Sequence, residues 1–311
     1  MAKDIKNLDL MIIGGGPAGL SAAIYASRAK LNLLLLENAL VGGQVRQTFT
    51  VENYPGFKQI EGNELADRMQ EQAIGLGATI EEFDSIISVK LSDEEKIIET
   101  ESYIYKPLAV IIATGSTPRK LPIPEEENFA GKGIHYCAVC DGAIYEGKNI
   151  AVIGGGNSAL EEALFLSKFG KVTMIRRHDY FNGEKYVLDK VLNNENIEIL
   201  WNEDIKHAKG KEKLESVIIE NTKTKEMKEI PMDGVFVSIG YEPKVELFKN
   251  DIKLSERGNI ITYENMQTNI KGVYAAGDVR EKFFRQITTA VSDGTIAALM
   301  AEKYINERKG D

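Results

Sequence analysis

Short apolar runs and glycine-rich turns alternate along the first part of the chain. Residues 8–13 are nearly all apolar and lead directly into the glycine-rich stretch 14–19, after which an alanine-rich helical pattern continues to about Lys30. The next apolar run, 31–36, ends at Glu37. A buried strand, a glycine turn that opens a helix and a second buried strand together predict a βαβ unit.

The same pattern recurs in the middle of the chain. An apolar run at 149–153 precedes a second glycine-rich stretch at 154–159, a helical pattern follows over 160–169, and another apolar run covers 171–175. Both copies have the order of elements that is typical of dinucleotide-binding folds. The sequence therefore predicts two Rossmann-like units.

The segments after each unit predict how the two are connected. Further apolar runs close the units at 109–115 and 234–240, and prolines follow both runs. Proline fixes φ and lacks an amide donor, so these stretches suit extended connectors. The C-terminal part has a strand pattern at 272–279 and a helical pattern at 287–304, which is too little to bury a core of its own.

We therefore predict an α/β fold with two Rossmann-like dinucleotide-binding domains, the second inserted into the first, of the three-layer ββα type. The first domain is expected to comprise residues 1–117 and 245–311, and the inserted domain residues 118–244.

The composition narrows the range of partners and locations. At 311 residues, of which 43% are hydrophobic, the chain has enough material for about two packed domains. A net charge of -9 argues against nucleic acid as a partner, and the basic run 206–211 fits a solvated hairpin or loop. The apolar runs are shorter than the roughly 18 residues of a membrane-spanning helix, and the charged N-terminus has no signal-peptide pattern. We expect a cytoplasmic protein without a membrane segment.

The first glycine turn has the residues of an adenosine diphosphate site. Gly14 suits the tight turn, Gly16 lets a phosphate approach the backbone, and Gly19 allows close packing of helix and sheet. Glu37 is placed to accept hydrogen bonds from ribose hydroxyls, although a carboxylate that only ends the strand is the alternative. No basic residue is present for a 2′-phosphate, which favours a nucleotide such as FAD.

The second turn carries Gly154, Gly156 and Ala159 at the corresponding positions, but its second strand ends in Arg176 and Arg177 instead of an acid. Guanidinium groups bind a phosphate bidentately, and the pattern favours NADP over NAD. Solvated surface charge is the alternative explanation of these arginines.

The chain has two cysteines, Cys137 and Cys140, just ahead of the second glycine turn. A structural disulfide over so short a loop would stabilise the fold little. A zinc site with His135 would lack further cysteine ligands, and a c-type haem attachment would need a histidine where Asp141 stands. Two unrelated free thiols remain an alternative to the reversible, two-electron dithiol that this spacing favours, and we expect no bound metal.

Taken in order, these motifs resemble the low-molecular-weight thioredoxin reductases over nearly the whole chain. Disulfide reductases of the glutathione type are longer, with a dimerisation domain and more widely spaced cysteines. The resemblance implies a homodimer that reduces thioredoxin, or a thioredoxin-like protein, with electrons from NADPH passed through FAD. The matching stretches are 14–19, 42–44, 52–56, 113–115, 137–142, 154–159, 277–279 and 285–286.

The resemblance also assigns roles to individual residues. Cys140 would take electrons from the flavin and Cys137 would attack the disulfide of the partner protein. Asp141, unless it is only a turn residue, would donate and accept the proton. Members of the family swing one domain against the other, and we expect the hinges near residues 117 and 244. The implied FAD-binding residues are Gly14, Gly16, Pro17, Ala18, Gly19, Glu37, Gly43, Gln44, Asn53, Ala113, Thr114, Gly115, Gly277, Asp278, Arg285 and Gln286. The implied NADPH-binding residues are Gly154, Gly156, Asn157, Ser158, Ala159, Arg176 and Arg177.

The chain departs from the family at the predicted 2′-phosphate site. The family motif His-Arg-Arg-x-x-x-Arg aligns with Arg176, Arg177, His178 and Asn182, so two of its three arginines are missing although Arg176 is gained. Each charged hydrogen bond lost removes roughly 1.5 to 3 kcal/mol of phosphate recognition, which makes reduced ferredoxin the alternative electron donor. Two further alternatives are a reductase that serves a peroxidase or glutaredoxin-like partner and a non-catalytic, redox-sensing flavoprotein.

Overall fold

The computed structural model of the protein describes residues 3–48 and 50–310, which divide into two compact units. Unit 1 comprises the described residues up to Thr117 and from Pro243 onward, and unit 2 runs from Pro118 to Glu242. The sequence predicts that the first domain resumes at residue 245, whereas unit 1 resumes at Pro243. The amide of Lys244 donates to the carbonyl of Gly115, which also belongs to unit 1.

The strands are, in chain order, β1 (Asp4–Ile13), β2 (Leu33–Glu37), β3 (Thr50–Val51), β4 (Ile60–Glu61), β5 (Thr79–Glu82), β6 (Ile86–Leu91), β7 (Lys96–Thr100), β8 (Tyr103–Ile112), β9 (Ser116–Pro118), β10 (Ile134–His135), β11 (Asn149–Gly154), β12 (Lys171–Arg176), β13 (Ile197–Trp201), β14 (Glu203–Gly210), β15 (Leu214–Asn221), β16 (Met227–Pro231), β17 (Gly234–Ser238), β18 (Tyr241–Pro243) and β19 (Val273–Ala275). The α-helices are α1 (Pro17–Arg28), α2 (Gly62–Gly75), α3 (Glu126–Phe129), α4 (Ala138–Asp141), α5 (Asn157–Leu166), α6 (Lys185–Leu192) and α7 (Ile287–Lys309). Short 3-10 helices cover Gly43–Gln47, Gly142–Tyr145 and Gly277–Val279.

A mixed sheet with the strand order β5-β2-β1-β8-β7-β6 forms the centre of unit 1, and β19 joins it by pairing with β8. The strands β5, β2, β1, β8 and β19 run parallel, whereas β6 and β7 form an antiparallel extension. The parallel strands end at one edge of the sheet. The segments after β1, β2, β8 and β19 therefore meet there, which is where open α/β sheets bind ligands.

The buried strands of unit 1 divide the core into two layers. Leu10 and Ile12 face the helices α1, α2 and α7, whereas Met11 and Ile13 face the opposite side, where Tyr105 is buried with residues of the antiparallel strands. Successive side chains of a strand point to opposite faces, so a run of apolar residues without polar alternation fits a strand that is covered on both sides.

Unit 2 repeats this plan with a parallel sheet of strand order β10-β17-β11-β12-β13. Val152 on β11 packs with α4, α5 and α6, whereas the neighbouring Ala151 and Ile153 pack against the antiparallel sheet β14-β15-β16. Each unit thus has helices on one face of a parallel sheet and antiparallel strands on the other. The predicted α/β fold with two dinucleotide-binding folds is confirmed.

Several elements differ from their predicted bounds. The helix expected over 160–169 begins at Asn157 and ends at Leu166. The basic run at 206–211 lies largely in β14, as a strand of a hairpin with β15, and its Lys209 pairs with Glu229 on β16 at 2.6 Å. Of the two alternatives given for this run, a hairpin or a loop, the structure has the hairpin.

In the part of the chain that the structure describes, none of the helices combines the length and the apolar character needed to cross a membrane.

Candidate active site

The first glycine turn contains two glycines, Gly14 and Gly19, that no other residue could replace without strain. Gly14 has a φ of +109°, and its amide donates to the carbonyl of Leu36 at 2.8 Å. A Cβ on Gly19 would collide with the Gly14 carbonyl, whereas no heavy atom lies within 4 Å of the position a Cβ on Gly16 would take. The turn is therefore tight on its inner side and open above Gly16, where a phosphate group can approach the amides at the start of α1.

Glu37 holds a fixed position beside this turn. Its Oε2 accepts from the amide of Gly15 at 2.7 Å, and its Oε1 accepts from the amide of Ala39 at 3.2 Å. A carboxylate oxygen can accept more than one hydrogen bond, so both oxygens retain capacity for ribose hydroxyls. The contact with Gly15 makes Glu37 part of the turn as well as the end of β2.

Two segments distant in sequence close around the same turn. A Cβ on Gly43 would lie 3.1 Å from the Cα of Gly16, and one on Gly277 would lie 3.0 Å from the Cβ of Ala18. Gly277 has a φ of +79°, a conformation that L side chains rarely adopt. The structure thus brings the predicted residues of 14–19, 42–44 and 277–278 to one place.

The remaining residues predicted for the first unit form two polar contacts near this edge. Nε2 of Gln44 donates to Oγ of Ser116 at 3.0 Å, and Nδ2 of Asn53 donates to Oε1 of Gln286 at 3.2 Å. Gln286 is also the N-cap of α7, and Arg285 beside it is exposed. Ala113, Thr114 and Gly115 follow β8 at the same edge of the sheet. These contacts place Asn53 beside the start of α7.

Asp278 carries a buried oxygen that accepts no hydrogen bond from the part of the chain that the structure describes. Its Oδ1 is inaccessible to solvent, and the Nζ of Lys282 lies 3.7 Å away. Burial raises the pKa of the Asp278 carboxyl, and the positive charges of Lys282 and Arg285 oppose that rise. A buried acceptor without a partner is costly, so this oxygen fits a ligand that brings a hydroxyl or amide donor.

The support of Asp278 is a group of charges that sequence analysis did not identify. Asp293 on α7 accepts from the amide of Gly277 at 3.1 Å, from Nη1 of Arg280 at 3.1 Å and from Nζ of Lys282 at 3.0 Å. The sign of this role that the sequence does contain is the position of Asp293 in the helical pattern, on the same buried face of α7 as Ala290 and the alanines that follow. Its partners could not be inferred, because they lie on the turn after β19.

The second glycine turn has the same construction. Gly154 has a φ of +154°, and a Cβ there would meet the carbonyl of Ser238 and the Cβ of Ala159. Apart from its own neighbours in the chain, no heavy atom of the described residues lies within 4 Å of the position that a Cβ on Gly156 would take. Asn157 begins α5, and its Nδ2 donates to Oε1 of Glu184 at 3.0 Å. This turn too is open where a phosphate would approach.

The two arginines at the end of β12 differ in environment. Arg176 is buried, and its Nε donates to the carbonyl of Tyr180 at 2.8 Å. Arg177 is exposed, and His178 stacks on the ring of Tyr180 with centroids 5.4 Å apart. Arg177 is therefore the arginine of this segment that presents its guanidinium to solvent.

Cys137 and Cys140 are joined by a disulfide in unit 2, with Cα atoms 5.3 Å apart. Cys137 is the N-cap of the short helix α4, and its Sγ accepts from the amide of Cys140 at 3.2 Å. Cys140 is exposed, whereas Cys137 is partly buried. The structure has the pair in its oxidised form, next to the carboxylate of Asp141.

Asp141 is tied to the core of unit 2 through His135. Oδ2 of Asp141 lies 3.0 Å from Nδ1 of His135, and Nε2 of that ring lies 2.7 Å from the hydroxyl of Tyr145. The His135 side chain is 3% exposed and that of Asp141 38% exposed. Both ring nitrogens are therefore engaged, which argues against the zinc ligation considered for His135.

Among residues 3–48 and 50–310, no group of three or more His, Cys, Asp or Glu side chains is arranged to hold a metal ion.

The chain is similar to known proteins over nearly its whole length. A family model described as pyridine nucleotide-disulphide oxidoreductase matches residues 8–294. The 34.2 kDa protein in rubredoxin operon of Clostridium pasteurianum is 59% identical over 304 residues, which cover 97% of this chain and 99% of that protein. The thioredoxin reductase of Bacillus subtilis (strain 168) is 42% identical over 304 residues, which cover 97% of this chain and 96% of that protein.

A crystal structure of Lactococcus lactis thioredoxin reductase has the same fold, with a TM-score of 0.94 and 42% identity. The match covers 96% of this chain and 99% of that chain.

Proposed function

This chain belongs to the pyridine nucleotide-disulphide oxidoreductases, and we propose that it works as a thioredoxin reductase with FAD as cofactor and Cys137–Cys140 as its redox pair. In the net reaction NADPH, a proton and the disulfide of thioredoxin become NADP⁺ and the thioredoxin dithiol. The observation that carries the proposal is the closed disulfide beside Asp141, in the unit that contains the second glycine turn.

The first unit fits FAD at the carboxyl edge of its sheet. The amides of 14–19 would hold the pyrophosphate and Glu37 would accept from the adenosine ribose. Asp278, whose Oδ1 has no hydrogen-bond partner, would accept from a hydroxyl of the cofactor. When bound, FAD takes two electrons from the nicotinamide and delivers them to the disulfide. The other residues proposed to line this site are Gly43, Gln44, Asn53, Ala113, Thr114, Gly115, Arg285 and Gln286.

The dithiol would then pass the electrons on by thiol–disulfide exchange. The thiolate of Cys137 attacks one sulfur of the thioredoxin disulfide, which forms a mixed disulfide and releases the other thioredoxin sulfur as a thiolate that takes up the proton of the net reaction. Cys140 attacks the sulfur of Cys137, restores the Cys137–Cys140 bond and releases the second thioredoxin cysteine as a thiolate. Asp141 would accept the proton of Cys140 as that sulfur becomes nucleophilic and would give it to the departing thiolate.

NADPH would bind at the second glycine turn. The amides at the start of α5 would hold its pyrophosphate, and Arg177, which is exposed at the end of β12, would bind the 2′-phosphate. Gly154, Gly156, Asn157, Ser158 and Ala159 complete the proposed site.

A second candidate donor is reduced ferredoxin, which supplies single electrons and is therefore needed twice in each cycle. The observation that favours it is the depleted charge at the 2′-phosphate position. Arg176 is buried, His178 stacks on Tyr180, and position 182 carries a neutral amide. NADPH remains the leading proposal, because the open turn at Gly156 is retained.

An anaerobic titration separates the two donors. The purified flavoprotein is mixed with NADPH and its oxidised flavin absorbance is followed, and the same is done with reduced ferredoxin. Bleaching by stoichiometric NADPH supports the first proposal. A flavin that stays oxidised with NADPH but bleaches with ferredoxin would replace it with the second.

The acceptor is tested by turnover on different disulfide proteins. Thioredoxin should be reduced faster than a peroxidase or glutaredoxin-like protein, and a Cys140→Ser variant should lose that turnover. Full turnover in the variant would contradict the relay and favour a flavoprotein that only senses redox state. We further propose that the chain is a cytoplasmic homodimer, which sedimentation of the purified protein and fractionation of cells will check.

A further inference from the structure

Asp141, His135 and Tyr145 form a row of hydrogen-bonded side chains that runs from the partly exposed Asp141 into the core of unit 2. His135 precedes the cysteine pair on β10, Tyr145 follows it in a 3-10 helix, and both side chains are buried. The ring of His135 also stacks on Phe236 of β17, with centroids 5.3 Å apart and an interplanar angle of 24°. Three separate elements therefore fix the plane of this imidazole.

The direction of the two hydrogen bonds follows from the donors available. The hydroxyl of Tyr145 is a donor over the working range of pH, because burial, followed by the charges of Asp141 and Asp233, raises its pKa to about 12. When Tyr145 donates to Nε2, a neutral imidazole carries its proton on Nδ1. That N–H points at Oδ2 of Asp141, 3.0 Å away.

We propose that His135 is a positioning residue for Asp141, held by Tyr145 in the tautomer whose Nδ1–H binds one carboxylate oxygen and leaves the other free to exchange protons with the dithiol. The inference rests on the proposed function, since it deepens the proton-transfer role given to Asp141. The imidazole itself touches neither substrate nor cofactor. It acts by holding the carboxylate in one orientation, as a residue behind a catalytic group does.

The simpler alternative is that His135 only fills the core. The titratable groups around the His135 ring are Asp141 on α4, Tyr145 in the 3-10 helix and Asp233 ahead of β17. The ring of Phe236 on β17 stacks on the imidazole. A filling role needs the volume of the ring but not the proton on Nδ1. The two explanations therefore make different predictions for an amide side chain at position 135, which can supply an N–H but not the volume of the ring.

The tautomer can be read directly on the resting, oxidised holoenzyme. The chain has three histidines, so a protein labelled with ¹⁵N in histidine gives three imidazole patterns, and His135→Asn identifies the one of interest. We expect the pattern of a ring protonated on Nδ1 and unprotonated on Nε2. A ring protonated on Nε2 would overturn the proposal, because Tyr145 could not then donate to that nitrogen and hold the tautomer.

Two amide variants separate positioning from packing. The amide nitrogen of His135→Asn can take the place of Nδ1, whereas that of His135→Gln takes the place of Nε2 and cannot reach Asp141. We expect His135→Asn to keep thioredoxin turnover within about threefold and His135→Gln to lose about tenfold, less than the roughly hundredfold or more that a proton-transferring group itself contributes, because Asp141 is still present. The pH dependence of turnover should change in His135→Gln, while flavin reduction by the electron donor stays at the wild-type rate in both.

The chain offers a matched control for these variants. Nδ1 of the half-exposed His207 lies 3.0 Å from Oε1 of Glu125, the same ring nitrogen at the same distance from a carboxylate, at a site without a cysteine pair. His207→Asn and His207→Gln should leave turnover and its pH dependence unchanged. Equal losses in His135→Asn and His135→Gln, with the wild-type pH dependence, would show that the ring is only packing. If the wild-type enzyme reduces no thioredoxin with either donor, the proposed function fails, but the tautomer pattern still decides how the imidazole binds Asp141.

Discussion

The guanidinium of Arg176 lies against Gly155, in the space that a side chain at position 155 would fill. Its Nε is bound to the carbonyl of Tyr180, and the group lies within 6.0 Å of the ring centroids of Tyr180 and Phe181. Arg176 therefore packs against the second glycine turn and stabilises it. Arg177, which is exposed, is therefore the residue that we propose to bind a nucleotide phosphate at this edge.

Arg177→Gln should weaken NADPH binding without affecting the chemistry. Removing charged hydrogen bonds worth roughly 1.5 to 3 kcal/mol predicts a KM for NADPH that rises about ten- to a hundredfold, with kcat unchanged at saturation. The KM for NADH, which has no 2′-phosphate, should stay the same. Steady-state kinetics with both nucleotides measure this, and Arg257→Gln, an exposed arginine in unit 1, is the charge-matched control. A parallel rise for NADH would contradict the assignment.

Asp278→Asn should reduce the affinity for FAD and spare the apoprotein. The Oδ1 of Asp278 accepts no hydrogen bond from the described residues and its ion pair with Lys282 is long, at 3.7 Å, so the apoprotein should melt close to the wild-type temperature. Affinity for FAD, measured by quenching of flavin fluorescence, should fall about tenfold, the effect of one charged hydrogen bond. Wild-type affinity in this variant would show that the buried oxygen does not face the cofactor.

Asp293→Asn, unlike Asp278→Asn, should clearly destabilise the apoprotein. It leaves Arg280 and Lys282 without their shared carboxylate, and both side chains are largely buried. Breaking a buried ion pair from one side costs about 3 to 5 kcal/mol, so the melting temperature of the apoprotein should fall clearly. Comparison with Asp278→Asn in the same thermal assay is the test. A stability loss in Asp278→Asn but not in Asp293→Asn would reverse the two roles.

The carboxyl of Glu162 should make the folded protein less stable as the pH rises. Burial raises its pKa to about 8 in the folded protein, against 4.5 for an ordinary glutamate, although a hydrogen bond with Ser238 opposes the shift. Below pH 4.5 the group is protonated in both states and has no effect. Between pH 4.5 and 8 the unfolded chain gives up the proton more readily, so the free energy of unfolding falls with rising pH.

Glu162→Gln should remove that dependence. Its melting temperature should exceed that of the wild type by a margin that widens from pH 5 to pH 8, whereas Glu195→Gln, at an exposed glutamate of the same unit, should show no such trend. A constant margin across this range would mean that Glu162 ionises normally in the folded protein.

The parts of the fold that local pattern determines were predictable. A strand, a glycine turn and a helix are adjacent in sequence, so the two turns at Gly14 and Gly154 and their open positions at Gly16 and Gly156 followed from spacing alone. Helix ends were less accurate, as at Leu166, because the pattern of apolar residues continues beyond the last helical hydrogen bond.

The contacts that support the site were not predictable from spacing. Asp293 reaches Gly277 from another element, and Asp141 and Tyr145, which lie on two consecutive short helices, contact the two ring nitrogens of one histidine. His135 was considered only as a metal ligand, because its sequence neighbourhood gives no sign that Phe236 fixes the ring from a distant strand. Such partners depend on tertiary packing, which a single sequence does not specify locally.

The insertion of unit 2 also has a consequence for the order of folding during synthesis. Unit 2 is continuous from Pro118 to Glu242, and its ends are joined by the amide of Arg119, which donates to the carbonyl of Gly240 at 2.9 Å. It can therefore fold as soon as it has left the ribosome. Unit 1 lacks β19 and α7 until the last residues are made, so the half of the protein that is synthesised first is the half that is completed last.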